Sequence, residues 1–387
     1  MSKASSRAFL ILGIVLISIN LRTSIASVGP LIPFIREDLG ISNGLAGSLT
    51  TLTLFTFAIF SLFSPGIGKR IGNGRSIFLG ISILAIGVIL RVLGGVELLF
   101  FGTALTGIGI VIANVLMIPF FKSHLPEKLG LLTAILSTGM SLFAAIASGV
   151  SVPLAVDLGW GWRGSLASWV VLMVIALAVW FPQAKAKPSP KSGIEIAGKN
   201  VWKSKLAWQV TLFMGAQSVM YFTMVTWLPD MLISKGMTPV RAGLALSYMQ
   251  LISLIGTFFA PGLLMKLRQQ QGVILGVSIG YLLGYSLLFW NETWIIFTSM
   301  TIIGIGSGAS LSIAYTLISL RTIEDQTTSR LSGMVQSAGY ILAALGPLLF
   351  GVSLDLVGNW DFLNWFLLAM TIQFLIFGWG AGKDQKI

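Results

Sequence analysis

The chain has 387 residues, of which 55% are hydrophobic and 10% charged, and its formal net charge is +12. Soluble domains carry about 25% charged residues, so this composition excludes an ordinary soluble fold and indicates a membrane protein with many spans. There is no cysteine, and the one histidine, His124, lies in a lysine-flanked stretch. Disulfides are therefore excluded, and we expect neither a metal site nor a cofactor.

Twelve apolar stretches are long enough to cross a bilayer as helices, which takes roughly 20 residues. Runs of this length select helices, because a helix satisfies its own backbone hydrogen bonds in lipid. The sequence thus predicts an all-α membrane protein with twelve transmembrane helices. The predicted spans are 8–35, 44–64, 76–94, 98–120, 129–153, 164–182, 206–229, 242–264, 272–290, 293–319, 332–354 and 362–381.

The distribution of lysine and arginine predicts the orientation. Twelve spans put both termini on one side, and if that side is the cytoplasm, 19 basic residues are cytoplasmic and five are outer. The positive-inside rule favours this arrangement, which predicts a multi-pass protein of a prokaryotic inner membrane with both termini cytoplasmic. Because topology explains the basic excess, we expect no nucleic-acid partner. The five outer residues are Arg36, Arg91, Arg163, Lys235 and Arg241.

Arg22 is the charged residue that lies deepest in any predicted span, near the middle of 8–35. A charge at that depth costs roughly 2.5–3.5 kcal/mol on insertion scales, and no acid falls inside any predicted span. A guanidinium without an acidic partner suits an anion or strongly dipolar ligand that enters from water. We therefore predict that Arg22 binds the substrate; the alternative is a structural arginine that donates to carbonyls of neighbouring helices.

The first span presents a narrow stripe around this arginine. Ser18, Arg22, Ala26 and Gly29 recur at helical spacing, and the small residues leave room for a cavity beside the guanidinium. Ser18 is a candidate substrate contact on this stripe. Asn20 points elsewhere and is a candidate for either substrate or bundle contacts.

Further polar residues lie inside later spans. Asn114 in span four is a candidate for substrate contact or for a bond between helices. Gln217 and Tyr221 are one turn apart in span seven, and Gln336 and Tyr340 are one turn apart in span eleven. Tyr315 lies in a polar stripe of span ten. We list these side chains as candidate substrate-binding residues alongside Arg22.

The two halves of the chain match at a nearly constant offset. A shift of 196 residues pairs prolines, glycines and loop positions without a gap, beginning with Pro33 and Pro229 and ending with Ser82 and Ser278. Residues 184–205 contain six lysines and two prolines and separate the two halves. The predicted organisation is therefore a six-helix half at 1–183, a cytoplasmic linker at 184–205 and a second six-helix half at 206–387.

This six-plus-six repeat resembles the major facilitator superfamily, and residues 65–75 resemble its loop motif G-x-L-a-D-r-x-G-r-r. The corresponding gating residues are Gly66, Lys69, Arg70, Gly72 and Arg75. Lys69 replaces the motif's aspartate, which implies that the latch of the outward-facing state differs here. The resemblance implies rocker-switch alternating access, with Gly107, Gly109, Gly304 and Gly306 allowing close packing of spans four and ten.

Asn20-Leu21-Arg22 followed by Val28-Gly29-Pro30-Leu31 is similar to the N-L-R-x(5)-V-G-P-L signature of the cyanate and nitroimidazole transporter-like (CynX/NimT) branch. That branch implies a small anionic or polar substrate such as cyanate, nitrate or a nitroimidazole. We expect a monomer that interacts with the bilayer and its small-molecule substrate.

Two questions stay open at this level. The alternative function is a multidrug or metabolite exporter of the same fold, for which the 24 phenylalanines and 14 methionines would provide a broad cavity. No catalytic motif of a membrane enzyme is present, so we expect no enzyme activity. Ion coupling is absent, uses a marginal acid such as Asp230, or moves the proton together with the substrate.

Overall fold

The computed structural model describes residues 3–185, 201–323 and 325–387. The described residues form thirteen α-helices and no strand; eleven of the twelve predicted spans each fall on one helix, and the first span falls on α1 and α2 together. The predicted all-α fold class is confirmed. The helices are α1 (Lys3–Ala26), α2 (Ile32–Leu39), α3 (Asn43–Ile71), α4 (Asn73–Leu93), α5 (Val96–His124), α6 (Leu129–Val156), α7 (Gly161–Lys185), α8 (Lys205–Ser234), α9 (Pro239–Met265), α10 (Gln271–Leu287), α11 (Thr293–Leu320), α12 (Asp325–Val357) and α13 (Asp361–Ala381).

Ten segments of the described chain are long and apolar enough to cross a membrane, and α1 with α2 forms one of them. The two other predicted spans differ for separate reasons. The apolar helix α10 has only 17 residues. By contrast, α8 has 30 residues but is more polar, since it contains Gln209, Gln217 and Asp230. Most of the predicted linker, residues 186–200, lies outside the described residues.

The described chain divides into two compact units. The first unit contains the residues up to Gly40 together with those from Leu52 to Lys185. The second contains Ile41–Thr51 together with the residues from Val201 onward. The helix α3 is therefore shared, since its first nine residues group with the second unit.

The internal repeat is visible in the packing within each unit. In the first unit α1 packs on α6 and α7, α4 packs on α5 and α7, and α6 packs on α7. In the second unit α8 packs on α12 and α13, α10 packs on α11 and α13, and α12 packs on α13. If α1 and α2 are counted as one helix, each half has six helices in order. The pairs that pack together are then the same in both halves.

The repeat extends to individual hydrogen bonds. Arg75 Nε donates to the carbonyl of Ala184 at 3.0 Å and ties the start of α4 to the end of α7. Gln271, 196 residues later, donates through Nε2 to the carbonyl of Trp379 at 2.9 Å and ties α10 to α13 in the same way. The pairing of helix ends is thus repeated although the residue types differ.

An ion pair ties three helix ends of the first unit. Arg163, at the start of α7, pairs with Asp38 near the end of α2 and donates to the carbonyl of Gly94 after α4 at 3.4 Å. The Arg163 guanidinium also lies 4.3 Å from the ring centroid of Trp162, whose Nε1 donates to Asp38.

The second unit ties the corresponding ends with the charges exchanged. Lys235, after α8, donates through Nζ to the carbonyls of Leu288 at 2.6 Å and Trp290 at 3.2 Å, after α10. Burial lowers the pKa of Lys235, while the charges of Asp361 at the start of α13 and Glu292 act in the opposite direction. In the second unit the cation, Lys235, follows the first helix of the set. In the first unit the cation, Arg163, lies on the sixth helix.

The N-terminus of α3 is capped by a residue far along the chain. Asp355 Oδ1 accepts from the backbone N–H of Asn43 at 2.9 Å and from its Nδ2 at 2.7 Å, and Oδ2 accepts from Gly44 N at 2.7 Å. A carboxylate satisfies the unpaired N–H groups at a helix start and favours the positive end of the helix dipole. This cap fixes the first turn of α3 against α12.

Glycines bring helices into close contact in both units. A Cβ at Gly109 would stand 2.5 Å from the carbonyl oxygen of Gly80 and 2.5 Å from the backbone nitrogen of Leu84. A Cβ at Gly304 would stand 2.6 Å from the carbonyl oxygen of Met249. The fourth helix of each unit therefore approaches the backbone of a neighbour at positions where only glycine fits.

We predict that Gly109→Ala lowers thermal stability in detergent, at a cost of about 1–3 kcal/mol for overpacking against fixed backbone. The matched control is Gly276→Ala, in α10, where an added Cβ meets nothing within 4 Å. That control should be neutral or slightly stabilising, because alanine favours helix. Equal melting temperatures for the two variants would contradict this account of the helix contact.

Candidate functional site

The first membrane segment is a helix with a break. The helix α1 ends at Ala26, a short 3-10 turn covers Gly29–Leu31, and α2 begins at Ile32. Val28 N donates to Ile25 O at 3.2 Å, a tighter turn than the α-helical pattern. Pro30 has no N–H to donate. We call residues 27–31 the α1–α2 break; it contains the Val-Gly-Pro part of the signature.

Arg22 is distinguished by exposure. Every residue from Ile17 to Ile32 is buried except Arg22, which is half-buried. The surrounding helix surface is thus covered by neighbouring helices, and Arg22 is the position that keeps exposed surface. This is the arrangement that a binding charge requires, since a ligand must reach it.

Ser18 and Asn20 are enclosed by the bundle. Ser18 is fully buried, its hydroxyl donates to Val15 O at 2.7 Å, and Gly139 of α6 packs directly over it. Asn20 is also fully buried and donates through Nδ2 to Leu16 O at 2.7 Å and to Leu172 O of α7 at 3.2 Å. The geometry of Asn20 fits the alternative of a bond between helices.

Asn114 differs from Asn20 both in burial and in hydrogen bonding. It lies on α5, is half-buried, and its amide makes no hydrogen bond to any other residue of the described chain. An amide that is reachable and has both donor and acceptor capacity available suits a polar solute.

In the second unit, two candidate tyrosines have ring contacts with the same phenylalanine. The ring of Phe222 lies 5.1 Å from that of Tyr221 on α8 and 6.5 Å from that of Tyr340 on α12, centroid to centroid. Both tyrosines are half-buried. Gln336, one turn before Tyr340, is half-buried and donates to Ser332 Oγ at 3.0 Å.

The other two candidates of the second unit are placed differently. Gln217 is 3% exposed, and its Oε1 accepts from Ser218 Oγ at 3.3 Å. Tyr315 lies on α11 with 42% of its surface exposed. Tyr221, Gln336 and Tyr340 are thus half-buried, whereas Gln217 is covered and Tyr315 is exposed.

The loop motif lies at the junction of α3 and α4. Gly72 adopts φ +89°, a conformation that side chains rarely tolerate, and precedes the first turn of α4. Gly66 has open space around it, and Lys69 and Arg70 are exposed. Arg75 is the motif residue with a defined role, the bond to α7 described above.

Arg91 is a residue whose position sequence reasoning missed. The sequence places it at an outer span end, but only 2% of its surface is exposed. Its Nη1 donates to Ser24 O at 2.8 Å, and its Nε donates to Thr103 Oγ1 at 3.1 Å. Within the described residues no carboxylate pairs with it. The sequence does not indicate this burial, because Arg91 lies shortly before a Gly-Gly pair, where a membrane span is expected to end.

Asp230 lies just past its predicted span, but it is on the helix and buried. The helix α8 continues to Ser234, beyond its predicted end, and Asp230 is only 8% exposed. Asp230 takes part in a hydrogen bond or another electrostatic interaction. Asp230 is thus a buried acid on a long helix of the second unit.

Two repeated sets of six packed, membrane-length helices are an architecture of polytopic membrane transporters. The sequence pattern of the Major Facilitator Superfamily matches residues 10–347. The chain belongs to this superfamily, whose members are transporters rather than enzymes.

The curated relatives confirm the predicted branch. The chain is 43% identical to the uncharacterized transporter YycB of Bacillus subtilis, over 98% of this chain and 94% of that one. It is 35% identical to the 2-nitroimidazole transporter of Escherichia coli, over 99% and 97% of the two chains. It is 26% identical to the cyanate transport protein CynX of Escherichia coli, over 94% of each chain.

Solved structures of low identity share the fold. A D-xylose–proton symporter superposes with a TM-score of 0.78 at 17% identity and covers 100% of both chains. A nucleoside transporter, NupG, has a TM-score of 0.78 at 12% identity, over 97% of this chain and 100% of that one. These structures establish the fold alone.

We predict opposite consequences for the two candidate asparagines. Asn20→Ala should cost about 1–3 kcal/mol of stability, because it removes a buried amide that bonds α1 to α7. Asn114→Ala should stay within about 0.5 kcal/mol, since no bond is lost. Thermal unfolding in detergent measures both, and a larger loss for Asn114→Ala would contradict the assignment.

Proposed function

We propose that the protein moves a small anionic or strongly dipolar solute, of cyanate-, nitrate- or nitroimidazole-like chemistry, across the cytoplasmic membrane of a prokaryote. Arg22 is the main substrate-binding charge. The single observation that carries this proposal is that Arg22 alone keeps exposed surface in the buried stretch from Ile17 to Ile32. The two named relatives, one for 2-nitroimidazole and one for cyanate, support the solute class.

The chemistry of the guanidinium explains the preference. It is always charged, planar, and able to donate two parallel hydrogen bonds to an anion or a nitro group. In a site of low effective dielectric this attraction is much stronger than in water. The half-buried polar residues Asn114, Tyr221, Gln336 and Tyr340 are candidates for further hydrogen bonds to a solute; Ser18, Asn20 and Gln217 are covered.

Transport proceeds by alternating access in this proposal. The moving bodies are the six-helix halves at 1–183 and 206–387, joined by the linker at 184–205, and the protein acts as a monomer with both termini cytoplasmic. The family's fold supports this mechanism, and the excess of cytoplasmic lysine and arginine supports the orientation.

The proposal predicts that a ligand stabilises the wild-type protein and fails to stabilise Arg22→Ala. A ligand at a hundred times its Kd adds about 2.7 kcal/mol to stability. Purified protein is heated with cyanate, nitrate or 2-nitroimidazole, and the melting temperature is compared for wild type, Arg22→Ala and Arg22→Lys. The lysine variant should retain part of the shift, because it keeps the charge but loses the bidentate geometry.

Arg163→Ala is the matched control, since it removes an arginine of the same unit that lies at the outer helix ends. It should lower the starting stability slightly and keep the ligand shift. A shift that survives in Arg22→Ala would move the binding charge elsewhere. Shifts produced by bulky lipophilic cations and not by anions would support the exporter alternative.

A further inference from the structure

The α1–α2 break leaves backbone carbonyls of α1 without their helical partners. In an unbroken helix, Ser24 O would accept from the N–H of Val28, but that N–H donates to Ile25 O instead. Ala26 O would accept from residue 30, which is a proline without an N–H. Both carbonyls are buried with their residues, so each needs a donor from elsewhere in the protein.

Two side chains from other helices supply these donors. Arg91 of α4 donates through Nη1 to Ser24 O at 2.8 Å. Ser148 of α6 donates through Oγ to Ala26 O at 3.1 Å. The break is therefore held from two sides, and the Arg91 bond lies two residues from Arg22.

Arg91 is itself fixed in place. Its Nε donates to Thr103 Oγ1 at 3.1 Å, and that hydroxyl donates to Leu99 O at 2.7 Å within α5. Gly102 allows this approach, because a Cβ there would stand 2.7 Å from the backbone nitrogen of Arg91. The guanidinium thus bridges α1 and α5 from α4.

Arginine is the residue that this geometry requires. Its planar fork presents donors on separate nitrogens at fixed angles, so one side chain reaches acceptors on two different helices. No carboxylate in the described chain pairs with the buried charge. Carbonyl and hydroxyl dipoles are then its partners, and its retention inside the unit calls for a role other than an ion pair.

We infer that Arg91 is a positioning residue for the binding charge: by holding Ser24 O at the α1–α2 break, it sets the direction and depth at which Arg22 meets the solute. Arg91 acts through the backbone of α1 and does not touch the solute. This inference rests on the proposed role of Arg22.

A measurement that needs no substrate tests the first half of the inference. Amide hydrogen exchange is followed by mass spectrometry over residues 22–32 of the wild type and the variants. Arg91→Met should raise exchange there by at least about tenfold, because a charge-assisted bond to a buried carbonyl is lost. Arg91→Lys should raise it less, and Ser148→Ala should also raise it.

Matched controls separate this effect from general loosening. Ser151→Ala removes a buried hydroxyl of the same helix that donates to its own helix, at Ala147 O. Arg163→Met removes an arginine at the outer ends of the same unit. Neither should change exchange over residues 22–32. Unchanged exchange in both Arg91 variants, or an equal rise in the controls, would overturn the inference.

Transport kinetics test the second half. Uptake of radiolabelled cyanate, nitrate and 2-nitroimidazole into proteoliposomes is measured in parallel, per folded protein, with whichever solute the wild type takes up. Arg91→Lys should raise KM several-fold with a smaller change in the maximal rate. If Arg91→Met does not fold, Thr103→Val, which removes the anchor of Nε, replaces it and should raise KM less than Arg91→Lys.

The two proposals fail in distinguishable ways. If Arg22→Ala leaves KM unchanged, the proposed function is wrong, and the exchange data still decide whether Arg91 holds the break. If Arg22→Ala raises KM and the Arg91 variants raise exchange without raising KM, Arg91 is only structural and the inference is overturned.

Discussion

In the hydrocarbon of a bilayer, every backbone N–H and C=O must find its partner inside the protein, and the structure of the first membrane segment depends on this constraint. Its helix is interrupted at Gly29-Pro30, and the two carbonyls released by the interruption accept from Arg91 and Ser148 of neighbouring helices. The interruption therefore joins α1 to α4 and α6. A motif that looks local in the sequence thereby has consequences for three helices.

Arg22 and Arg91 are guanidinium groups of the same unit, and the difference in their exposure separates their roles. Arg91 is enclosed and donates to protein acceptors, whereas Arg22 keeps surface that a solute can reach. A charge in such surroundings is tolerated when dipoles or a ligand compensate it. Carbonyl and hydroxyl dipoles compensate Arg91, and we propose that Arg22 meets a solute.

The internal repeat preserves the connections between helices more faithfully than the residues that make them. Arg75 and Gln271 tie the third helix to the sixth in their respective units. At other helix ends, Arg163 with Asp38 and Lys235 near Asp361 connect equivalent helices with the charges exchanged. The same helix ends are joined in both units, although the positive and negative charges are exchanged between them.

The sequence by itself determined the place of the apolar spans, the repeat and the family, and it made Arg22 a candidate for the binding charge. These follow from apolar length and from residues close together in the chain, because hydropathy and helical spacing are local properties. Only the tertiary structure decided which side chains are covered. It buried Arg91, Asn20 and Gln217, left Asn114 accessible, and capped Asn43 with Asp355, 312 residues away. Burial depends on neighbours that are distant in sequence, and local patterns do not encode their approach.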